Sequence, residues 1–247
     1  MELLALDGVE KRFRRGARQL VALDGVSLEL FAGDFLAVLG ETRSGKTTLL
    51  RVAAGIESPD AGSVRFMGRD LARMSRRERV GLRRREIGCI WKGERSDRRL
   101  TVIGHVALPL VGAGWSRPKA EARAHEFLRR VSAGHCAGAM LPELSASELA
   151  RVSIAQALVR EPKLVLADEP TDTLNMVERE EILGIIRSVA RDANVAVLMT
   201  AGDATGALRA NRFGSLTAGR LLLRDAEAGG RVVDFSPAGQ RRGGAHR

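Results

Sequence analysis

Short apolar runs alternate along the chain with segments that have the period of a helix. Residues 34–39 and 163–167 are apolar runs of the kind that form strands buried on both faces. Residues 117–131 and 176–191 have the spacing of helices. The alternation predicts an α/β fold built in layers.

The first 33 residues have a different pattern. β-forming runs at 3–6 and 26–30 predict short strands. Turn dipeptides punctuate the segment at 7–8, 24–25 and 32–33. We expect an N-terminal antiparallel β edge that leads into the strand at 34–39.

One domain with an inserted subdomain accounts for most of the chain. A mostly helical pattern from about 92 to 150 interrupts the alternation, which assigns 1–91 and 151–225 to the core. The length of 247 residues suits this arrangement. From 226 to 247 the glycine, arginine and polar residues have no period, so we predict a loosely structured basic tail.

Composition narrows the classes of partner and compartment. The net charge of +10, from 40 basic and 30 acidic residues, favours an acidic partner or surface. Cys89 and Cys136 lack C-x-x-C spacing, which argues against a disulfide framework or a zinc site and fits a reducing compartment. No apolar run approaches the roughly 18–20 residues that span a bilayer. Any membrane crossing would therefore belong to another chain.

Most of the excess positive charge lies between residues 65 and 99, a segment with thirteen basic and five acidic residues. A nucleic-acid groove normally interleaves aromatic side chains with such charge. Only Phe66 and Trp91 are available here. We therefore favour a solvated face, near anionic lipid or an acidic partner, over a nucleic-acid surface.

The segment after the strand at 34–39 has the strongest chemical signal. Gly40 and Gly45-Lys46-Thr47 fit G-x-x-x-x-G-K-[ST] between a strand and a helix pattern. In such a loop backbone N–H groups surround the phosphates, the lysine reaches the β/γ oxygens, and the hydroxyl contacts Mg²⁺. The candidate nucleotide-binding residues of this segment are Gly40, Arg43, Ser44, Gly45, Lys46, Thr47 and Thr48.

Two carboxylates, Asp168 and Glu169, directly follow the apolar run at 163–167. They end a strand at the edge where parallel α/β sheets gather their ligands. Paired with a phosphate loop, Asp168 can hold Mg²⁺ through water, beside the Thr47 hydroxyl, and Glu169 can orient or deprotonate the attacking water. The alternative is a pair of solvent-exposed acids that cap the turn at Pro170.

The loop and the carboxylates belong to a longer set of matching stretches, at 21–28, 40–48, 106–110 and 166–171. Through them residues 2–224 resemble the nucleotide-binding subunits of ATP-binding cassette (ABC) transporters. The branch that serves lipoprotein release and macrolide export is the most similar.

This resemblance implies a P-loop NTPase cassette with a RecA-like core, bound ATP and Mg²⁺, and two cassettes that close head to tail. It also implies an integral membrane permease as partner and a cytoplasmic position on the inner face of the cell membrane. By the same resemblance, Phe13 stacks on adenine, although a side chain folded onto the core is an equal alternative. Ser145 belongs to the signature segment that meets the partner's ATP.

Two residues of the nucleotide's own site depart from the family pattern. Arg43 stands where the family usually has a glycine, and a positive φ there would cost on the order of 1 kcal/mol. Its cation could also meet phosphate. Lys92 stands where the family has a glutamine that contacts Mg²⁺ and water, and an ammonium cannot ligate a metal.

The surface offered to a partner is changed as well. The signature, usually Leu-Ser-Gly-Gly-Gln, reads Leu-Ser-Ala-Ser-Glu at 144–148. Ala146 and Ser147 place β-carbons where backbone should approach the partner's γ-phosphate. Two further departures lie outside the signature: Asn175 replaces the aspartate that ends the loop after Glu169, and Ala201 replaces the histidine that usually follows the strand at 195–200.

These changes predict ATP binding with weak or absent hydrolysis, because losing one preorganised contact lowers a rate by about 10²- to 10³-fold. Glu169 remains as the candidate catalytic residue. The leading hypothesis is an energy-coupling subunit of a permease, paired with a second, complete cassette rather than with itself. A non-hydrolytic ATP-binding protein of a membrane complex is the alternative, and Mg²⁺ dependence separates the two. A nucleic-acid-associated cassette is the third hypothesis.

Overall fold

Two β-sheets and six α-helices form the part of the chain that the computed structural model describes, which is residues 2–16, 18–93, 99–207, 209–225 and 232–233. The strands are β1 (Glu2–Arg15), β2 (Arg18–Phe31), β3 (Phe35–Leu39), β4 (Ala61–Phe66), β5 (Arg69–Asp70), β6 (Ile87–Ile90), β7 (Leu164–Asp168), β8 (Ala196–Ala201), β9 (Arg212–Thr217), β10 (Arg220–Asp225) and β11 (Val232–Val233). The α-helices are α1 (Lys46–Ala53), α2 (Arg76–Glu86), α3 (Val102–Val111), α4 (Arg117–Arg130), α5 (Ala146–Leu158) and α6 (Met176–Asp192).

The larger sheet has the order β11-β10-β9-β3-β8-β7-β6. β3 lies between β8 and β9 and is parallel to both, and β7 is parallel to β8 and β6. Every residue of β7 and β8 is buried, as expected for parallel strands covered on both faces. The carboxyl ends of β3, β7 and β8 therefore meet at one edge of the sheet.

The N-terminal strands form a separate sheet of order β2-β1-β4-β5. The predicted N-terminal antiparallel β edge is confirmed, and β2 leads directly into β3. The turns expected at 7–8 and 24–25 are wrong, because both dipeptides lie inside long strands at shifts of register. Gly8 and Gly25 have φ of 56° and 67°, so each glycine fits a bulge that the ladder continues past.

Side chains of β3 divide the core in two. Phe35 and Ala37 face a cluster that includes buried residues of α3, α4, α5 and α6. Leu36 and Val38 face a second cluster, formed with the N-terminal sheet and α1. This alternation follows from the two-residue period of a strand. Because α3, α4 and α5 share the first cluster, the helical insert is anchored on the strand that precedes the phosphate loop.

Part of the basic segment at 65–99 stabilises the fold itself. Arg83 Nη1 donates to the Gly55 carbonyl at 3.1 Å, just beyond the end of α1, and Arg79 Nη1 donates to the Leu71 carbonyl at 3.2 Å. Arginines at a helix C-terminus also complement its dipole. The charged residues at 94, 95, 97 and 98 lie outside the described residues.

The predicted tail contributes one short strand. Val232–Val233 forms β11 and pairs antiparallel with β10, which fits the β propensity of valine. Residues 226–231 and 234–247 lie outside the described part. In the described residues no helix has the length and apolar character that crossing a bilayer requires.

Candidate nucleotide site

Two glycines hold the loop between β3 and α1 close to neighbouring backbone. A β-carbon on Gly40 would lie 2.5 Å from Ser44 Oγ and 2.6 Å from the Leu216 carbonyl oxygen. A β-carbon on Gly45 would collide with the Ala22 carbonyl, and its φ of 111° favours glycine. Gly45 is also the N-cap of α1, whose first turn has no acidic residue. The positive end of α1 is therefore open to an anion.

Lys46 is buried in the first turn of α1, and its ammonium contacts oxygens of the loop. Nζ donates to the carbonyls of Gly40 and Glu41, the latter at 2.8 Å, and lies 3.1 Å from Glu169 Oε1. Ser44 Oγ is buried and has no hydrogen-bond partner among the described residues. Such a hydroxyl costs about 1–3 kcal/mol. The arrangement fits a site built around a further oxygen-rich group such as phosphate.

Asp168 joins the phosphate loop to the neighbouring strand. Its Oδ2 accepts a hydrogen bond from Thr47 Oγ1 at 2.8 Å, and its Oδ1 accepts one from Thr200 Oγ1 at 2.9 Å. Thr200 Oγ1 in turn accepts from the Glu169 backbone N–H at 3.1 Å. The fold thus brings Thr47 and Asp168 together. Thr200 was not among the predicted site residues. Its place at the carboxyl end of a buried parallel strand could have indicated a position at the site.

The Lys92 ammonium lies directly on the candidate catalytic carboxylate. Its Nζ is 2.5 Å from Glu169 Oε2 and 2.6 Å from Asp172 Oδ2. Burial would raise the pKa of Glu169, but the Lys92 and Lys46 ammonium groups outweigh it and hold that pKa below its ordinary value. Hydrogen bonds to Asp172 and Glu169 raise the pKa of Lys92. Near neutral pH Lys92 and Glu169 therefore form an ion pair of two charged groups. The Lys46 ammonium contacts the second oxygen of the same carboxylate, Glu169 Oε1.

Two residues of the site have a left-handed backbone conformation. Arg43 has φ of 70° and Glu169 has φ of 48°, both in the left-handed region that non-glycine residues rarely adopt. The expected positive φ at Arg43 is therefore present. The alternative of two solvent-exposed acids is wrong, since Asp168 is 5% exposed and the Glu169 side chain 14%.

The signature segment forms the start of α5 and does not contact the phosphate loop through its serine side chain. Ser145 is the N-cap, and its Oγ accepts from the Glu148 backbone N–H at 3.2 Å. Glu148 Oε2 accepts from the backbone N–H of Ser145 at 2.9 Å and from its hydroxyl at 2.8 Å. Glu148 Oε1 lies 2.9 Å from His135 Nε2. The backbone hydrogen bond from Ser145 is the first cause that lowers the pKa of Glu148 to about 2, with His135 and the Ser145 hydroxyl adding to it.

The remaining positions named from the sequence are Phe13, Thr48 and Ala201. Phe13 lies half-buried on β1, with Lys11 Nζ 5.5 Å from the centre of its ring. Thr48 is half-buried in α1. Ala201 ends β8, and its carbonyl accepts from the Gly40 N–H at 3.2 Å. The backbone at the histidine position therefore still supports the loop.

A groove of about 510 Å³ lies where α2, β6, α3 and α5 meet. Its lining includes Arg84 and Arg85 at the end of α2 and Arg160 after α5. Leu108 and Val111 of α3 line it too, with 49% and 41% of their surfaces exposed. The groove thus combines positive charge with exposed apolar surface.

The fold and the loop geometry define the class of the protein. The sequence model of the family described as ABC transporter matches residues 23–172, more than half of the chain. The chain belongs to the ABC transporter family and is an ATP-binding subunit of that type. This finding confirms the predicted family, the P-loop cassette fold and ATP as ligand.

Relatives refine the assignment to a branch. The chain is 35% identical over 222 residues to the lipoprotein-releasing system ATP-binding protein LolD of Cereibacter sphaeroides, covering 90% of this chain and 99% of that protein. It is 33% identical over 235 residues to the macrolide export ATP-binding/permease protein MacB 1/2 of Paracoccus denitrificans, covering 95% of this chain and 35% of that protein. A dimeric ATP-binding cassette solved in a post-hydrolysis state with ADP and Pi superposes with a TM-score of 0.84 at 26% identity, covering 90% of this chain and 98% of that one. The predicted branch is confirmed.

Proposed function

We propose that this chain is the energy-coupling subunit of an exporting or extracting transporter, and that it binds ATP with Mg²⁺ on its own phosphate-loop face while hydrolysing it weakly. The observation that carries the proposal is the Lys92 ammonium, 2.5 Å from Glu169 Oε2, beside a phosphate loop that keeps Gly40, Gly45, Lys46 and Thr47. The site would therefore keep the residues that bind ATP, while the residue that would activate water is held by an ion pair.

The binding half rests on residues that suit both ligands. The open N-terminus of α1, Lys46 and the orphaned Ser44 hydroxyl fit the phosphates. Thr47 and Asp168 would hold Mg²⁺, because the fold brings the Thr47 hydroxyl and the Asp168 carboxylate together beside the loop, and Mg²⁺ takes oxygen ligands. When bound, Mg²⁺ would neutralise charge that develops on the phosphate oxygens.

The catalytic half is limited by Lys92. A general base must accept a proton from water, and Glu169 has ammonium groups on both oxygens that favour its ionised, hydrogen-bonded form. With alanine at 201 the histidine contact is also lost. Each missing transition-state contact lowers the rate by about 10²- to 10³-fold.

Lys92→Gln tests this explanation. We expect steady-state ATP hydrolysis to rise at least tenfold while ATP affinity changes little, and the gain to vanish in Lys92→Gln/Glu169→Gln. Lys163→Gln is the matched control, because Lys163 is equally exposed and pairs with Glu86, away from the loop. A wild-type chain that hydrolyses ATP at about 1 s⁻¹ or faster, and loses this activity on Glu169→Gln, would contradict weak hydrolysis.

The Lys92 contacts also favour a second candidate, a non-hydrolytic ATP-binding subunit of a membrane complex. A tethered ammonium beside the phosphates would replace part of the charge that Mg²⁺ provides. In that case ATP affinity measured with EDTA would match that with Mg²⁺, and Lys92→Gln would restore Mg²⁺ dependence without hydrolysis. Strong Mg²⁺ dependence in the wild type would favour the coupling subunit.

The groove between α2 and α3 suits a permease segment that is partly apolar and acidic, on the inner face of the cell membrane. Arg84 and Arg85 supply charge, and Leu108 and Val111 supply apolar contact. Arg85→Glu should reduce recovery of the membrane partner. Arg73→Glu is the control, because Arg73 belongs to the same basic segment, is 89% exposed and does not line the groove. Equal recovery with both variants would exclude this docking face.

A second cassette with a complete signature is the pairing partner that we propose. Ala146 and Ser147 place side chains at the start of α5, so two copies of this chain would give each ATP an altered signature. Native mass measurement of the purified membrane complex tests the pairing. Two different cassettes support it, and two copies of this chain contradict it.

A further inference from the structure

Three potential metal ligands meet beside the signature segment. His135 and Cys136 lie in a short 3₁₀ helix, Gly134–Cys136, and Glu148 lies in the first turn of α5. One ligand atom from each of the three lies within 4.8 Å of the others. His135 Nε2 and Glu148 Oε1 are 2.9 Å apart. A nitrogen, a sulfur and an oxygen thus converge from two separate elements.

The donor set selects the class of ion. Imidazole and thiolate suit Zn²⁺ and similar borderline transition metals, whereas Mg²⁺ and Ca²⁺ require oxygen ligands. Bonds of about 2.0–2.3 Å in a tetrahedron place ligand atoms about 3.3–3.8 Å apart. The His135–Glu148 pair would open by about half an ångström, and the thiol, already within 4.8 Å of both atoms, would take the third position.

The surroundings permit this adjustment. The His135 side chain is 64% exposed, so its ring can turn without disturbing the core. Cys136 is 5% exposed, and its Sγ donates to the Ala133 carbonyl at 3.0 Å. The His135 and Glu148 side chains are more exposed than the thiol, so water can reach the cluster as a fourth ligand. Three protein ligands with one open position is a recurrent arrangement for zinc.

We propose that His135, Cys136 and Glu148 bind one Zn²⁺-class ion and thereby fix the 3₁₀ helix to the first turn of α5. Glu148 is the link to the signature, because its other oxygen accepts both hydrogen bonds from Ser145. An ion held by Oε1 would restrict the Glu148 side chain and, with it, the orientation of Ser145. If the signature meets a partner's nucleotide, which rests on the proposed function, the ion would act on that contact.

The ordinary explanation is an ion pair between His135 and Glu148 with Cys136 uninvolved. The two explanations differ in the role of the thiol. The lack of C-x-x-C spacing predicts no zinc site. The cluster has no such spacing because two of its ligands are adjacent in the chain and the third lies in the first turn of α5.

Co²⁺ titration of the full, reduced chain without nucleotide tests the site. We expect one Co²⁺ per chain, a thiolate-to-cobalt charge-transfer band, and displacement of that band by Zn²⁺. Cys136→Ala should abolish the band. His135→Gln and Glu148→Gln, both at partly exposed positions that leave the core intact, should weaken binding at least tenfold.

Matched variants decide the outcome even if Cys136→Ala does not fold. Cys89→Ala removes the other cysteine and His125→Gln removes an exposed histidine of α4, and both should keep the band and the affinity. Absence of a charge-transfer band in the wild type, or its survival in His135→Gln and Glu148→Gln at full affinity, would overturn the proposal. Because nucleotide is absent, either result leaves the ATP-binding proposal to its own test.

Discussion

Two helix N-termini in this chain treat negative charge in opposite ways. α1 begins after Gly45, has no acid in its first turn and is flanked by the buried ammonium of Lys46. α5 begins after Ser145 and already has an acid in its first turn, Glu148. Both helices have the positive end that attracts anions. In α1 that end is available to phosphate, whereas in α5 the chain's own carboxylate occupies it.

This difference explains how one cassette can keep nucleotide binding on its own face and change the face offered to a partner. The α1 site depends on Gly40 and Gly45, because a β-carbon at either position would clash with neighbouring backbone. The start of α5 has Ala146 and Ser147 in a regular helical turn, capped by Ser145 and Glu148. Nucleotide affinity and partner contact therefore respond to different substitutions.

Lys46→Ala should have the largest effect on this contrast. Removing the ammonium deletes charge-assisted hydrogen bonds worth about 1.5–3 kcal/mol each, so ATP affinity should fall at least about 100-fold. Calorimetric titration with ATP measures the loss. Arg51→Ala in the last turn of α1 is the control and should bind as the wild type does. Affinity within threefold of the wild type in Lys46→Ala would mean that α1 is not the phosphate site.

Glu148→Gln should have an intermediate effect, on thermal stability through the start of α5. The measurement uses metal-free protein. The pKa of Glu148 is held to about 2, below its ordinary 4.5, so its stabilisation is complete above about pH 4.5 and is lost as the pH falls towards 2. The wild-type Tm should exceed that of the variant by a few degrees at pH 7, and the gap should close in acid. Glu180→Gln, on the exposed face of α6, is the control. A gap that stays constant with pH would contradict capping by the carboxylate.

Arg43→Gly should have the smallest effect. Relief of the left-handed φ at this position should raise the free energy of unfolding by up to about 1 kcal/mol, less the entropy that glycine adds to the unfolded chain. Urea unfolding measures the change. An unchanged ATP affinity would show that the arginine cation does not contact phosphate, and a loss of affinity would show that it does.

The strands, loops and helices that form the site were predicted from the sequence more readily than the side-chain contacts between them. The strand–loop–helix order around Gly40 and the carboxylates after β7 followed from local patterns, because apolar period and turn residues act within a few positions. Lys92 was recognised as an altered residue, but its ion pairs with Glu169 and Asp172 join positions about 80 residues apart. Thr200 was missed for the same reason, since only the pairing of β7 with β8 places it beside Asp168.

The N-terminal sheet shows the other limit. Gly8 and Gly25 were interpreted as turns because glycine is frequent there, yet the paired strand continues on both sides and absorbs each as a bulge. Whether a glycine ends a strand depends on the neighbour that it pairs with, which is decided by tertiary contacts.

The phosphate loop is tied to segments from both ends of the chain. Gly219 N–H donates to the Ser44 carbonyl at 3.3 Å, and its own carbonyl accepts from the Asp24 N–H at 2.9 Å, beside the Ala22 carbonyl that limits Gly45. Contacts between such distant positions form late in folding, because the long intervening chain must first close. The loop gains these backbone contacts only once the β9–β10 turn, from the other end of the cassette, has packed against it.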